Sequence, residues 1–379
     1  MSQIVTRAIM PAEHLAFLQA QSSASFLQTP AWAAVKSEWR HESLGWFRGG
    51  ELVGVGLVLY RQLPKVKRYL AYLPEGPVLD WGAADLGASL DAMGRHLRSA
   101  GAFGARIGPP VPVRAWSAGT LKRAIADPAT HRLSDVAPDR LHPEGTAVRE
   151  LLAGAGWREQ ATEHGFAAGQ PRHVFQLRLA GRSPDDVLAG MNQLWRRNIK
   201  KADKAGVEVT TADISSPAEG LTAELERFHT LYVETARRDG FTPRPLDYFR
   251  RMFEAMSAED PDRIRLFLAR HEGDLVAATI MVRVGVHTWY SYGASSTAKR
   301  EVRGSNAIQW QMIQDAIAAG AAVYDLRGIT DTLDADDPHV GLIQFKVGTG
   351  GEAVEYVGEW DLPLNGLLYK AFDAYMRRR

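Results

Sequence analysis

The sequence predicts an α/β (α+β) chain of two tandem domains, each a mixed sheet flanked by helices. Three observations predict it. A hairpin signal occurs twice, as Gly49-Gly50 before Glu51-Leu52-Val53-Gly54-Val55 and as Glu272-Gly273-Asp274 before Leu275-Val276-Ala277-Ala278. Each hairpin leads to a tyrosine-bearing strand, at Tyr72 and Tyr292, and then to a helix ending in Ala-Gly, at Ala100-Gly101 and Ala319-Gly320. Each helix is followed by a short apolar strand, Phe103 to Ile107 and Val323 to Leu326. Equivalent residues stand about 220 positions apart throughout, which is the trace a duplication leaves.

Hairpin, strand, helix, strand in that order is the core of an N-acetyltransferase-like (GNAT) domain. The remaining elements fit around two such cores. Pro11 to Gln21 reads as a helix, and Thr29-Pro30 opens a second one carrying Trp32 and Lys36, because proline at the first helical position loses no hydrogen bond. The first hairpin spans Trp46 to Tyr60, and its strand Tyr69 to Leu73 ends in the turn Pro74-Glu75-Gly76-Pro77. Asp80 to Arg98 reads as the first crossover helix, and Pro112 to Glu144 as a partly helical excursion. Ala161 to Pro171 is Gly-rich without an apolar period, so the first domain is expected to cover 1–165 and the second 166–359.

The second domain opens with a strand, His173 to Leu179. Ser183 then caps one long helix reaching Lys204, with Leu188, Met191, Trp195, Ile199 and Ala202 on its apolar face. Further helices cover Ala218 to Arg237 and Pro245 to Met256. The final helix, within 360–379, is expected to pack back on the first domain.

Composition excludes several classes of chemistry. The 379 residues suffice for two real cores, and 45% apolar with 23% charged residues is ordinary for a globular protein. A net charge of +1 argues against a DNA-coating protein. With no cysteine there is no disulfide, no thiolate nucleophile and no Cys-built zinc site, which fits a cytoplasmic protein. There is no GxSxG elbow, no HExxH and no Walker loop, and the eleven histidines form no i, i+4 helical pair. No metal is expected. Met1 to Gln19 lacks a signal-peptide pattern, and no apolar run is long enough to span a bilayer.

A CoA acetyltransferase opens its main helix with [Q/R]-x-x-G-x-[G/A], whose N–H groups cradle a pyrophosphate. Here Glu301 and Asn306 break that pattern on either side of Gly304, so the donor is not expected to be acetyl-CoA. Arg197, Lys200, Lys201 and Lys204 share one face of their helix. They read either as a solvated face or as a grip for a diphosphate or an RNA backbone. The run Ile343-Gln344-Phe345-Lys346 reads as a strand, with Lys346 turned opposite to Phe345 at a sheet edge. Tyr324-Asp325-Leu326-Arg327-Gly328 ends a strand, where sites in α/β sheets gather, and its Asp–Arg pair is equally readable as structural. Tyr72, Tyr248, Tyr290 and Tyr292 are candidate substrate contacts or packing residues.

Taken in order, seven segments resemble the FemABX family of aminoacyl-tRNA-dependent peptidyltransferases, nearest its FemX-type branch from high-GC Gram-positive bacteria. They are Phe26 to Trp32 with Lys36, Leu70 to Pro77, Arg197 to Val207, Thr235 to Phe241, Tyr290 to Ser296, Tyr324 to Gly328, and Gln344-Phe345-Lys346. The resemblance implies transfer of an amino acid from aminoacyl-tRNA to the side-chain amine of a diamino acid in a peptidoglycan stem peptide, without a cofactor. The acceptor is lipid II or UDP-MurNAc-pentapeptide. Glycine is the expected donor residue, with alanine and serine open. The resemblance also implies that Lys36 and Arg197 hold the diphosphate, that Lys346 beside Phe345 lies where donor and acceptor meet, and that Tyr248 belongs to the acceptor pocket. Val207 to Ser257 leaves no room for the coiled-coil arm of FemA- and FemB-type members. Gly108 stands where several relatives have Asp, so no role of that carboxylate carries over. Transient contact with the inner membrane surface follows from a lipid-linked acceptor. The rival readings are a tRNA-dependent amide-forming enzyme of a natural-product pathway and a non-catalytic binding protein on the same scaffold.

Overall fold

The computed structural model describes residues 3–64, 66–160, 169–213, 220–337 and 339–376. The chain divides into two compact units. One comprises Met1–Trp116, Ala137–Val174 and Val354–Arg379, and the other Ser117–Val136 and Phe175–Ala353. The sequence reading draws a single boundary after residue 165. The structure instead places Ser117–Val136 with the second unit, because its helix Ala118–Ala126 packs on helix Val340–Val347. Most of the Gly-rich stretch behind the sequence boundary, 161–168, lies outside the described residues.

In the first unit the strands lie in the spatial order Ile4–Ile9, Arg40–Arg48, Glu51–Leu63, Val66–Leu73, Ala102–Ile107, Trp360–Pro363, Arg158–Glu159. Gly49 and Gly50 take φ +58° and +92° in the hairpin turn, the left-handed region that only glycine enters without strain. Val66–Leu73 and Ala102–Ile107 pair in parallel, so a crossover must join them, and helix Leu86–Ser99 supplies it. That helix starts later than the expected Asp80, because Asp80 Oδ1 accepts the Gly82 N–H in a local turn. Leu90, Met93 and Leu97 on its inner face pack with Trp46, Ala105 and Ile107.

The second unit repeats the scheme. Its strands run Glu208–Thr211, Ile264–His271, Asp274–Val284, His287–Ser295, Val323–Ile329, His173–Arg178. Again the hairpin pair is antiparallel and the later pair, His287–Ser295 with Val323–Ile329, is parallel. Helix Gly304–Ala318 makes the crossover. Helices Thr222–Asp239 and Leu246–Glu259 bury Phe228, Tyr232, Phe249 and Met252, and among the described residues between Val207 and Ser257 there is no projecting arm.

The expected single helix from Ser183 to Lys204 is two, Pro184–Gly190 and Gln193–Lys204. Met191 is extended at ψ 151°, and the Asn192 side chain accepts the Trp195 N–H to cap the second helix afresh. Ser183 caps the first through the Asp186 N–H. The last helix, Gly366–Met376, packs on Ala102–Ile107, with Tyr369 and Phe372 against Leu70 and Phe103. Buried Asp361 fixes this region by accepting two hydrogen bonds from Arg106, at 2.7 and 2.8 Å, and one from the Tyr369 hydroxyl at 2.7 Å. Arg377 to Arg379 lie outside the described residues. Among the described residues no helix is long and apolar enough to cross a membrane.

One close approach tests this packing. A Cβ on Gly145 would lie 2.0 Å from the Pro112 carbonyl oxygen, a backbone atom that cannot swing aside. Gly145→Ala is expected to destabilise the protein by about 1–3 kcal/mol in urea unfolding.

Candidate active site

Lys346 is a buried cationic side chain of the second unit. It lies in helix Val340–Val347, not in a strand as the alternating Ile343 and Phe345 suggest. The pattern was too short to separate the two periods. The backbone bonds are helical, Ile343 N–H to His339 O and Gly348 N–H to Gln344 O, and the buried positions Ile343, Lys346 and Val347 form one helical face. Lys346 is therefore no edge lysine. It is 3% exposed, and its Nζ donates to Gly328 O at 2.6 Å and to Arg327 O at 3.3 Å. Burial pulls its pKa down to about 7, with Asp325 opposing that fall and Arg327 adding to it.

The two carbonyls that receive Lys346 belong to an unusual stretch of backbone. Arg327 takes φ +65°, a left-handed conformation that side-chain-bearing residues seldom adopt. Asp325, 2% exposed, holds it through Oδ1, which accepts the Arg327 N–H at 2.6 Å. Its Oδ2 accepts from Gln176 Nε2 at 3.0 Å and pairs with His287 Nε2 at 3.4 Å. Burial pushes the Asp325 pKa up. The bond and charge of His287, together with Arg327 and Gln176, outweigh it and hold the carboxyl below its usual value.

Phe345 faces the Arg197 helix. Its ring lies 4.8 Å from the Trp195 ring, and Trp195 Nε1 donates to Phe345 O at 2.8 Å. A side chain at Gly348 would strike the Trp195 ring at 2.1 Å, so glycine there permits the contact. On its other side Phe345 lines a cavity of about 110 Å³, shared with Thr279, Tyr290, Ser295, Ser305 and Gln309. Gln309 also accepts the Tyr324 hydroxyl at 2.7 Å, linking the cavity wall to the strand that carries Asp325.

The structure does not gather every residue singled out in the sequence. Arg197, Lys200, Lys201 and Lys204 are exposed on helix Gln193–Lys204, whose buried side carries Trp195 and Ala202. Tyr248 and Tyr292 bond each other, hydroxyl to hydroxyl at 2.9 Å, against Phe249 and Tyr232. Burial raises the pKa of Tyr292. In the first unit Lys36 is the C-cap of helix Pro30–Val35, half-buried with its ammonium 5.8 Å from the Trp32 ring. Tyr72 donates its hydroxyl to Glu359 at 2.6 Å. Glu359 is 9% exposed, and burial raises its pKa despite the opposing charge of Arg106 and the Tyr72 bond. A Cβ at Gly108 would meet the Glu359 side chain at 3.0 Å, so Glu359 occupies the space a residue-108 side chain would use. Glu75, Gly108 and Glu359 line one small cleft.

Sequence reasoning missed Glu359, Gln176 and His287. Glu359-Trp360-Asp361, two acids bracketing a tryptophan in an apolar stretch, was the available signal for the first. A lone Gln and a lone His in strands gave none.

A model of the FemAB family matches residues 9–270 and 267–377. A lipid II:glycine glycyltransferase of Staphylococcus aureus (strain MRSA252) is 25% identical over 434 aligned positions, covering 95% of this chain and 93% of that protein. The protein of the same name from strain NCTC 8325 / PS 47 aligns with the same identity and coverage. Among solved structures, the crystal structure of FemX superposes with a TM-score of 0.79 at 23% identity, covering 97% of this chain and 99% of that one. A tandem GNAT protein from the clavulanic acid biosynthesis pathway superposes at 0.52 with 11% identity, covering 96% and 99%. Both share the fold of this chain.

The Tyr72–Glu359 bond yields a test. Tyr72→Phe removes a donor from a buried carboxylate and is expected to destabilise the protein by about 1–3 kcal/mol at pH 7. A raised carboxyl pKa means the charged form is the disfavoured one in the fold. The loss should therefore shrink as pH falls through that raised value, where the neutral acid needs no donor. Urea unfolding of both proteins across pH checks magnitude and sign.

Proposed function

The chain belongs to the FemAB family, and from that premise we propose that it transfers glycine from aminoacyl-tRNA to the side-chain amine of a peptidoglycan precursor. It is a transferase that acts on a peptidoglycan precursor, and we take the precursor's stem peptide as the acceptor. The observation that carries the reading is the buried, carbonyl-held Lys346, whose neighbour in sequence, Phe345, lines a small polar cavity. That cavity supports a small donor residue, and glycine is the smallest.

An aminoacyl ester is already activated, so the amine attacks its carbonyl carbon directly. The carbonyl π electrons move to oxygen, the amine gives up a proton, and collapse expels the tRNA 3′-terminal hydroxyl as the amide forms. No cofactor enters. Holding amine and ester in reach supplies up to about 7–11 kcal/mol in favourable cases. A preorganised donor to the oxyanion adds about 3–4 kcal/mol. Lys346 is our assignment for that donor: its ammonium is held by two carbonyls in a site where water does not compete. Phe345 is assigned to the tRNA end, and Lys200, Lys201 and Lys204 to its backbone. Lys36 and Arg197 are assigned to the precursor's diphosphate, and Tyr72, Tyr248 and Tyr292 to further substrate contacts.

The first test is a transfer assay with purified protein and tRNA charged with Gly, Ala or Ser, each paired with lipid II and with UDP-MurNAc-pentapeptide. Mass analysis should find one added glycine on the stem peptide. No product from folded protein with any pair would refute the reading. Lys346→Met is expected to lower kcat by at least about 100-fold. It should still fold, with a loss of about 1–3 kcal/mol in urea unfolding, since the Arg327 and Gly328 carbonyls lose their buried donor. Lys36→Met and Arg197→Met should raise KM for the precursor and change kcat little.

A further inference from the structure

We infer that Asp325 is the positioning residue that aims the Lys346 ammonium and keeps it charged. The inference rests on the reading of Lys346 above and assigns a role to a group outside the substrate contacts.

The geometry supplies the argument. Lys346 Nζ donates to two backbone carbonyls, those of Arg327 and Gly328. Those carbonyls face it because the chain turns through a left-handed residue at Arg327. Asp325 Oδ1 bonds the Arg327 N–H two residues ahead, the local side-chain-to-backbone bond by which aspartate fixes such turns. The other oxygen is anchored by Gln176 on one neighbouring strand and His287 on the other. The carboxylate is thus clamped between two strands while it holds the lysine's acceptors in place. Carbonyl dipoles alone neutralise a buried cation poorly, and a buried cation needs a counter-charge nearby. Asp325, two residues before the first of those carbonyls, favours the charged lysine, and Arg327 disfavours it. Helix Ala118–Ala126, packed on Val340–Val347, carries Lys122 and Arg123 exposed, and helix Gln193–Lys204, which meets Phe345 through Trp195, carries Arg196 half-buried and Arg197, Lys200, Lys201, Asp203 and Lys204 exposed. His287 faces Asp325 and lowers its pKa, keeping the carboxylate ionised.

The test is the pH–rate profile of glycyl transfer. Only the ammonium donates to the oxyanion, so the wild-type rate should fall as pH rises through the Lys346 pKa, about 7. Removing the nearby anion makes the ammonium easier to deprotonate. In Asp325→Asn this falling limb should move to lower pH by about one unit, and kcat above pH 7 should drop about tenfold with KM for both substrates unchanged. Lys346→Met is assayed beside it. Near-normal turnover in Lys346→Met would refute the role of the lysine itself. An inactive Lys346→Met with an unshifted limb in Asp325→Asn would overturn the Asp325 assignment alone. Asp325→Glu covers the case in which the asparagine variant does not fold. It keeps the charge but displaces the oxygen that holds Arg327, so the limb should stay while kcat falls. Unchanged kcat there would overturn the aiming role.

Discussion

A lysine ammonium buried against two backbone carbonyls is the constraint around which the second unit is arranged. An amino cation withdrawn from water must be repaid in hydrogen bonds and opposite charge, or it loses its proton. Lys346 receives both from a single stretch, Asp325 to Gly328. The left-handed Arg327 bends that stretch toward the lysine, and Asp325 holds the bend. Gln176 and His287 come from the two strands that flank it in the sheet. The ammonium is thereby joined to three adjacent strands of the sheet.

Around this centre the chemistry asks little of the protein. In the proposed reaction an ester donor carries its own activation, and no nucleophile, metal or cofactor is called on. What is needed is a fixed donor for the oxyanion, a small space for the acyl group and a surface for a polyanion. We assign these needs to Lys346, the cavity beside Phe345 and the exposed basic face of Gln193–Lys204. Trp195 joins two of them, since it lies under Phe345 and on the buried side of the basic helix.

The first unit is built on the same scheme but buries different charges. Its parallel strand pair carries Tyr72 and Arg106 opposite each other, and their partners Glu359 and Asp361 flank Trp360. In the second unit the corresponding strand pair carries Asp325. Two copies of one fold thus use the same strand-pair position for different polar networks.

The duplicated hairpin, strand, helix and parallel strand were legible in the sequence because their signals are local. Gly-rich turns, a cap such as Ser183 and apolar periodicity act within a few residues. The same locality explains the failures. Val340 to Val347 is too short for its period to show, so Lys346 read as an edge lysine in a strand. The break at Met191 and Asn192 was hidden because Met191 and Trp195 still fell on one apolar face. The seven ordered segments fixed the family, and with it Lys346, Lys36 and Arg197 as candidates. Tertiary structure alone decided that Lys346 is buried, that Asp325 and Gln176, 149 residues apart, meet, and that Glu359 fills the space at Gly108. The reason is physical: burial and pairing of charge depend on which distant strands become neighbours, and no local pattern records that.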